Sequence, residues 1–204
     1  LKQRPFSYGA PNARSLRRIH MSLGWAILST GRHPDTKMAP AINAANGSTI
    51  TAVVSRDIKR ARAFAEKHGA KSAYDDVEVM LRDPAVDVAY IASPNSLHVE
   101  HTLRAAAAGK HVLVEKPMAL SAEDCQRMID ACAVAGVRLG VGFHLRMHPG
   151  HRRVRDFVTS GGVGKLALTT ANWGRGNRGI ITPSPRPHLQ AWWDDPTMVG
   201  AGAF

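Results

Sequence analysis

Short apolar runs alternate with longer amphipathic stretches along most of this chain. Trp25-Ala26-Ile27-Leu28 is too short for a helix and predicts a buried strand, followed by a turn at Ser29-Thr30-Gly31-Arg32. A helix is expected from Asp35 or Thr36 through Met38 to Ala45, with Gly47 ending it. Ile50 to Val54 is a β-branched run and predicts a second strand. Asp57 suits the N-cap of a helix through His68, and Gly69 its stop. Val77–Leu81 predicts a short helix, and Val86 to Ala92 a strand broken by Ser93-Pro94-Asn95. Leu97–Ala108 is an Ala-rich helix closed by Gly109, and Val112–Val114 is a strand. Ser121 to Asp124 has the spacing of a capping box, with Asp in place of Glu. The helix behind it puts Cys125, Met128, Ile129 and Cys132 on one face and ends at Gly136; Val137–Val141 is the next strand.

Strand and helix in turn at this pitch mean βαβ units, hence an α/β fold with a mostly parallel sheet. Right-handed crossovers then cover both faces of the sheet, making it doubly wound. After about Arg146 the texture changes. A helix is expected from Gly150 to Val158, then Gly161-Gly162-Val163-Gly164, a strand from Leu166 to Trp173, and a Gly-, Arg- and Pro-rich loop to Pro187. This predicts the opening of a second, incomplete α/β domain.

Composition narrows the possible functions. The 204 residues are 44% hydrophobic and 21% charged, as in soluble globular proteins, and no apolar run is long enough to span a membrane. The net charge of +11 points toward an anionic partner. Part of it is local: Lys2, Arg4, Arg14, Arg17 and Arg18 precede the first acid, Asp35. Residues 1–20 are read as a basic N-terminal extension ahead of a start at Met21, with a transit-like leader as the other reading. The remaining basic residues form no stripe interleaved with aromatics, so neither nucleic acid nor a membrane is expected as partner. Cys125 and Cys132 are seven residues apart in one expected helix, about 10 Å along its axis, too far for a disulfide. They fit a reduced, cytoplasmic compartment.

Ligands of parallel sheets bind beyond the carboxyl ends of the strands, and four sequence features fall there. In the first turn, Gly31 stands at the middle glycine of a dinucleotide fingerprint, with Ser29 and Pro34 where the outer glycines belong. Such a glycine lets backbone approach a pyrophosphate. Ser55-Arg56 ends the next strand near the spacing of a ribose-reading residue. An acid there holds the 2′-hydroxyl of NAD, whereas Arg56 suits the 2′-phosphate of NADP. Asp57 is better employed as the helix cap. Ser93-Pro94-Asn95-Ser96-Leu97-His98 presents polar groups after the strand at 86–92. His98 and His101 are also three apart on a helix, but with no third ligand no metal site is expected. Glu115-Lys116-Pro117 ends the strand at 112–114. A lysine there suits proton transfer to or from a substrate hydroxyl, Glu115 is expected to orient its amine, and Lys-Pro allows a cis bond. Taken alone, each is equally an ordinary turn.

Together these motifs resemble the glucose–fructose oxidoreductase and inositol dehydrogenase family (Gfo/Idh/MocA), from about Gly24 onward. The resemblance rests on S-P-N-S-L-H at 93–98, A-G-K-H-V-L-V-E-K-P at 108–117, G-F-H-L-R-M-H-P at 142–149 and D-D-P-T-M-V-G-A-G-A at 194–203. It implies a Rossmann-type cofactor domain over residues 21–145 and the beginning of a substrate and oligomerisation domain over 146–204. It implies hydride transfer between NADP (or NAD) and a sugar, polyol or related hydroxyl compound, by a protein that is a homo-oligomer at full length. By motif, Lys116 is the catalytic lysine. Ser29, Gly31, Arg32, Ser55, Arg56, Ser93, Asn95, His98, Glu115 and Lys116 line the cofactor site, and Arg146 lies near the nicotinamide or substrate. In the family an Asp- and His-bearing catalytic segment follows the glycine-rich stretch, so this chain is expected to be C-terminally truncated. The alternative to an enzyme is therefore an NAD(P)-binding protein or fragment without turnover. His144, His148 and His188 do not match the family's catalytic histidine.

Overall fold

The computed structural model describes residues 22–170 and 195–199. In chain order they form β1 (Leu23–Leu28), a π-helical turn (Pro34–Met38) running into α1 (Ala39–Ala44), β2 (Ser48–Val54), α2 (Ile58–His68), β3 (Ser72–Tyr74), α3 (Val77–Leu81) and β4 (Val88–Ile91). A 3-10 turn (Asn95–Leu97) then leads into α4 (His98–Ala107), followed by β5 (His111–Val114), α5 (Ala122–Val134) and β6 (Leu139–Val141). A second 3-10 turn (His144–Met147), α6 (Pro149–Thr159) and α7 (Pro196–Val199) complete them. The chain divides into two compact units, residues 1–89 and 90–204. The strands belong to a six-stranded sheet of order β3-β2-β1-β4-β5-β6, that of a doubly wound Rossmann-type fold.

In the first unit β1 pairs β2 in parallel, from Leu23 opposite Ser48 to Leu28 opposite Val54, with a register shift between Trp25 and Ala26. β2 pairs β3 in parallel. Ala26, Ile27, Leu28, Ala52, Val53 and Val54 are consecutive and buried, so these strands are covered on both faces and read as runs, without alternation. Burying Ile27 or Ile50 fully contributes roughly 1.5–3 kcal/mol each. α2 forms where the sequence predicts it. Asp57 accepts from the Lys59 and Arg60 N–H groups, and Ala61, Phe64 and Ala65 supply the buried face. Gly69 ends it at φ 73°, a left-handed geometry that a side chain would strain.

Several expectations are revised. The first helix begins as a π turn in which the Ala39 N–H donates to Pro34 O. Pro40 explains this: its ring crowds the carbonyl four residues back and it has no N–H for the α ladder. The strand Ser72–Tyr74 carries only partly buried side chains and gives little hydrophobic signal.

In the second unit β5 pairs β6 in parallel, Val112 opposite Leu139 through Val114 opposite Val141. Ser121 caps α5 by accepting from the Asp124 N–H, but the Asp124 carboxylate goes to Arg127 at 2.7 Å. Asp is one methylene too short to close the box comfortably. Met128 and Cys132 are buried, whereas Ile129 is 46% exposed, at the flank of the stripe. α6 spans Pro149–Thr159, slightly longer than expected. Residues 166–170 form no strand, in contrast to the expectation for Leu166–Trp173; the rest of that segment, and the loop to Pro187, lie outside the described residues. A strand needs a ladder partner, and none of the described strands pairs with this stretch.

Gly24 shows how little slack β1 has. A Cβ there would lie 1.9 Å from Ala85 O and 2.6 Å from Thr51 Oγ1. The Gly24 N–H donates to Asp87 Oδ2 at 2.9 Å, and its carbonyl accepts from the Asp87 N–H at 2.8 Å. Gly24→Ala is expected to destabilise the first unit by about 2–3 kcal/mol, because backbone must move to admit the methyl. Urea unfolding compared with the parent chain checks this; an unchanged midpoint would reject the packing account.

Candidate functional site

In the first unit the candidate residues lie on the turns after β1 and β2. Ser29 holds φ 151°, a backbone geometry favouring glycine, at the position where a fingerprint glycine belongs. Its Oγ accepts from the Gly31 N–H at 3.1 Å. The serine therefore keeps the shape of a glycine turn and ties it with its own side chain. A Cβ on Gly31 would come within 3.2 Å of that Oγ, so a larger residue there would press on the serine that ties the turn. The Asp35 N–H donates to Gly31 O at 3.0 Å, closing the turn onto the helix.

Thr30 Oγ1 donates to Ser55 Oγ at 3.4 Å, joining the ends of β1 and β2. Asp57 is committed to its helix, as expected. Arg32 and Arg56 are exposed, and among the described residues neither guanidinium has an ion pair. The end of β2 thus offers a free cation, with the nearest carboxylate engaged in capping. Behind the turn, Asp35 meets Lys67 at 2.8 Å and His68 at 2.7 Å. Hydrogen bonds from these two hold the Asp35 carboxyl below the usual carboxylate range.

In the second unit the candidate residues cluster after β4 and β5. The Lys116–Pro117 bond is cis. His98 is 1% exposed, with Nδ1 2.8 Å from Pro117 O and Nε2 2.9 Å from Ser93 O. It thereby ties the turn after β4 to the turn after β5. The ring is buried and faces two backbone carbonyls, so it holds the walls of the candidate site. A neutral imidazole has one N–H and satisfies only one of those carbonyls at a time. Burial pushes the His98 pKa down, against the pull of the two carbonyls and the Glu115 charge. His101 places Nδ1 2.9 Å from Ser93 Oγ, and burial lowers its pKa too. Asn95 is buried in the 3-10 turn, and Ser96 Oγ donates to Met198 Sδ at 3.3 Å.

Glu115 is half-buried, and its carboxylate accepts from Tyr90 O–H at 2.8 Å and from the Lys116 backbone N–H at 3.3 Å. Lys116 is exposed, and no described residue holds its amine by a hydrogen bond or ion pair. The expectation that Glu115 orients this amine is therefore revised; the buried phenol engages the carboxylate. Arg146 is exposed in the 3-10 turn after β6. His148 caps α6 through the Gly150 N–H at 3.2 Å, while His188 lies outside the described residues.

Tyr90 and Gly142 are the residues that sequence reasoning missed. Tyr90 had a signal: a phenol inside a wholly buried strand needs a partner for its O–H. No group of three or more His, Cys, Asp or Glu side chains suited to a metal occurs among the described residues. No described helix is long and apolar enough to cross a membrane.

Comparison with known proteins agrees with this fold. Residues 23–143 match a family model described as the oxidoreductase family with NAD-binding Rossmann fold, GFO_IDH_MocA. The chain is 37% identical over 160 residues to a 1,5-anhydro-D-fructose reductase of Ensifer adhaerens, covering 78% of this chain and 46% of that one. It is 36% identical over 149 residues to a D-xylose 1-dehydrogenase (NADP(+)) of Haloferax volcanii, covering 73% and 45%. The 3-ketoreductase KijD10 of Actinomadura kijaniata, solved with NADP, superposes with a TM-score of 0.65 at 30% identity, over 70% of this chain and 45% of that one. The chain thus spans less than half the length of these relatives.

The buried histidines set a pH dependence. Their pKa values are lower in the folded state, so below about pH 6.5 the unfolded chain binds more protons and folding weakens as pH falls. The unfolding temperature is expected to drop between pH 7 and pH 5, and to drop less in His98→Gln. Thermal melts across that range check it; equal slopes in both proteins would remove His98 from the account.

Proposed function

This chain belongs to the Gfo/Idh/MocA oxidoreductase family, and on that premise we propose that it binds a nicotinamide dinucleotide, NADP in preference to NAD. For the whole protein we propose hydride transfer between nicotinamide and a sugar, polyol or related hydroxyl compound. Residues 21–145 are assigned to the cofactor domain, 146–204 to the beginning of the substrate and oligomerisation domain, and 1–20 to a basic extension. A homo-oligomer in the cytoplasm is proposed for the full-length protein, the two free cysteines supporting a reduced compartment.

The single observation that carries the cofactor reading is Arg56. It stands exposed at the end of β2, with Asp57 held as a helix cap. A free guanidinium there suits a 2′-phosphate, which its fork of donors can grip. The relatives that name NADP support the same preference. The Ser29–Gly31 turn, drawn tight by its own hydrogen bond, suits close approach of a pyrophosphate, with Arg32 beside it to balance charge.

When bound, the nicotinamide supplies or accepts the hydride. Lys116 is assigned the proton: as an ammonium it protonates the oxygen formed on reduction, and as an amine it takes the proton of the hydroxyl being oxidised. Glu115 is assigned as a fixed acceptor for a cofactor hydroxyl, with Ser93 and Asn95 forming the neighbouring wall and Arg146 near the substrate. His98 keeps that wall in place from behind.

Fluorescence titration of the chain with NADPH and NADH tests the reading. NADPH is expected to bind more tightly, and Arg56→Ala to weaken it about 10-fold or more while leaving NADH within about twofold. Binding of neither nucleotide would sink the proposal, and tighter NADH binding would remove Arg56 from it. In the whole protein, Lys116→Ala is expected to lower kcat by roughly 10²–10⁴-fold with NADPH binding retained. Steady-state kinetics decide; unchanged turnover would reject the proton role.

A further inference from the structure

Tyr90 is the bulkiest of the fully buried side chains among the described residues, and its phenol ends against the Glu115 carboxylate, 2.8 Å from Oε1. Burial first, and the Glu115 charge second, push the Tyr90 pKa far above the ordinary phenol range. The phenol therefore stays a neutral donor at any working pH. Gly142 also lies against this carboxylate. A Cβ there would come 2.9 Å from Glu115 Oε1, 3.2 Å from Cδ and 3.3 Å from Oε2. The Gly142 N–H donates to Val114 O at 2.8 Å, so its backbone is pinned beside the residue preceding Glu115. The Glu115 N–H donates to Ile91 O at 2.9 Å, pinning the other flank. Three strand ends thus make a cradle: β4 supplies the donor, β5 the carboxylate and β6 the space.

We infer that Tyr90 and Gly142 are positioning residues for the candidate cofactor site: Tyr90 anchors the Glu115 carboxylate as an oriented acceptor, and Gly142 leaves the room it occupies. The inference rests on the assignment of Glu115 to that site. It also accounts for the freedom of Lys116. A carboxylate one residue away is an obvious partner for its amine, and an ion pair there would hinder proton transfer. The Tyr90 hydrogen bond gives the carboxylate another partner, and the lysine side chain remains exposed. The phenol makes this selection without adding a charge, which a buried strand would not tolerate.

Two measurements on the 204-residue chain test it. The first is a double-mutant cycle in urea. Tyr90→Phe keeps the ring in the core and removes the O–H; Glu115→Met keeps much of the side chain's length and removes the acceptor. Each is expected to lower the midpoint, and the double variant to fall no further than the lower single one, as coupled partners do. Midpoint losses that simply add would overturn the contact. The second is NADPH affinity. Tyr90→Phe is expected to weaken it about 3–10-fold, and to change nothing further on a Glu115→Met background. Wild-type affinity in Tyr90→Phe, or a full extra loss in the double variant, would overturn the positioning role. Should Tyr90→Phe fail to fold, Gly142→Ala crowds the same carboxylate and is expected to give a similar loss; retained affinity there would overturn it. If the wild-type chain binds neither NADPH nor NADH, the cofactor assignment fails, and the urea cycle still decides whether Tyr90 holds Glu115.

Discussion

Burial of the strands on both faces is the constraint on which the rest of this structure depends. β1, β2 and β4 are almost wholly apolar over their inner lengths because helices cover both sides of such a sheet. A polar side chain within these strands needs a partner, and unpaired polar groups are tolerated mainly where a strand runs out. The candidate site residues accordingly fall at the strand ends: Ser29 after β1, Ser55 and Arg56 after β2, Ser93 after β4, and Glu115 and Lys116 after β5. Two buried polar side chains, Tyr90 and His98, obey the same rule. Both are hydrogen-bonded to groups at those ends, so they act as struts for the exposed residues.

Charge is divided between the two sets of turns. The turns of the first unit expose Arg32 and Arg56, and the nearby carboxylates Asp35 and Asp57 are occupied by Lys67 and His68 and by backbone N–H groups. Phosphate is the chemistry this favours. The turns of the second unit set a fixed carboxylate, Glu115, next in sequence to a free amine, Lys116, over a wall of backbone carbonyls tied by His98. Hydroxyl and proton chemistry suit that arrangement. Ser29 shows that the turn depends on shape more than on residue identity. It holds a glycine-like backbone and offsets part of the strain with its own hydrogen bond to Gly31.

Most of the fold was legible in local signals. The β-branched run at Ile50–Val54, the Asp57 cap and the Gly69 stop each act within one turn of chain, so one sequence suffices to see them. Ser72–Tyr74 was not legible, because a short, half-buried strand is made by its neighbour's ladder and not by its own composition. The π turn was hidden for another reason. Pro40 announces a broken hydrogen bond but not how the backbone will absorb it. Residues 166–170 failed in the opposite sense: an apolar run gives strand propensity, and no described strand pairs with this stretch.

By itself the sequence determined the order of elements, the doubly wound α/β class, and the four turns on which chemistry is possible, since these follow from hydrophobic period and turn residues. It also determined that Arg56 is the cation available after β2, because Asp57 has a local use. Tertiary structure alone decided which partners those residues meet. Glu115 looked like an orienter of its neighbour Lys116, yet it bonds a phenol 25 residues earlier in the chain. His98 was expected among the residues lining the cofactor site, and the fold sets its buried ring between two backbone carbonyls. Hydrophobic pattern specifies which face of an element is buried. It does not specify which polar atom from a distant strand will arrive within 3 Å, because that depends on how the buried faces pack.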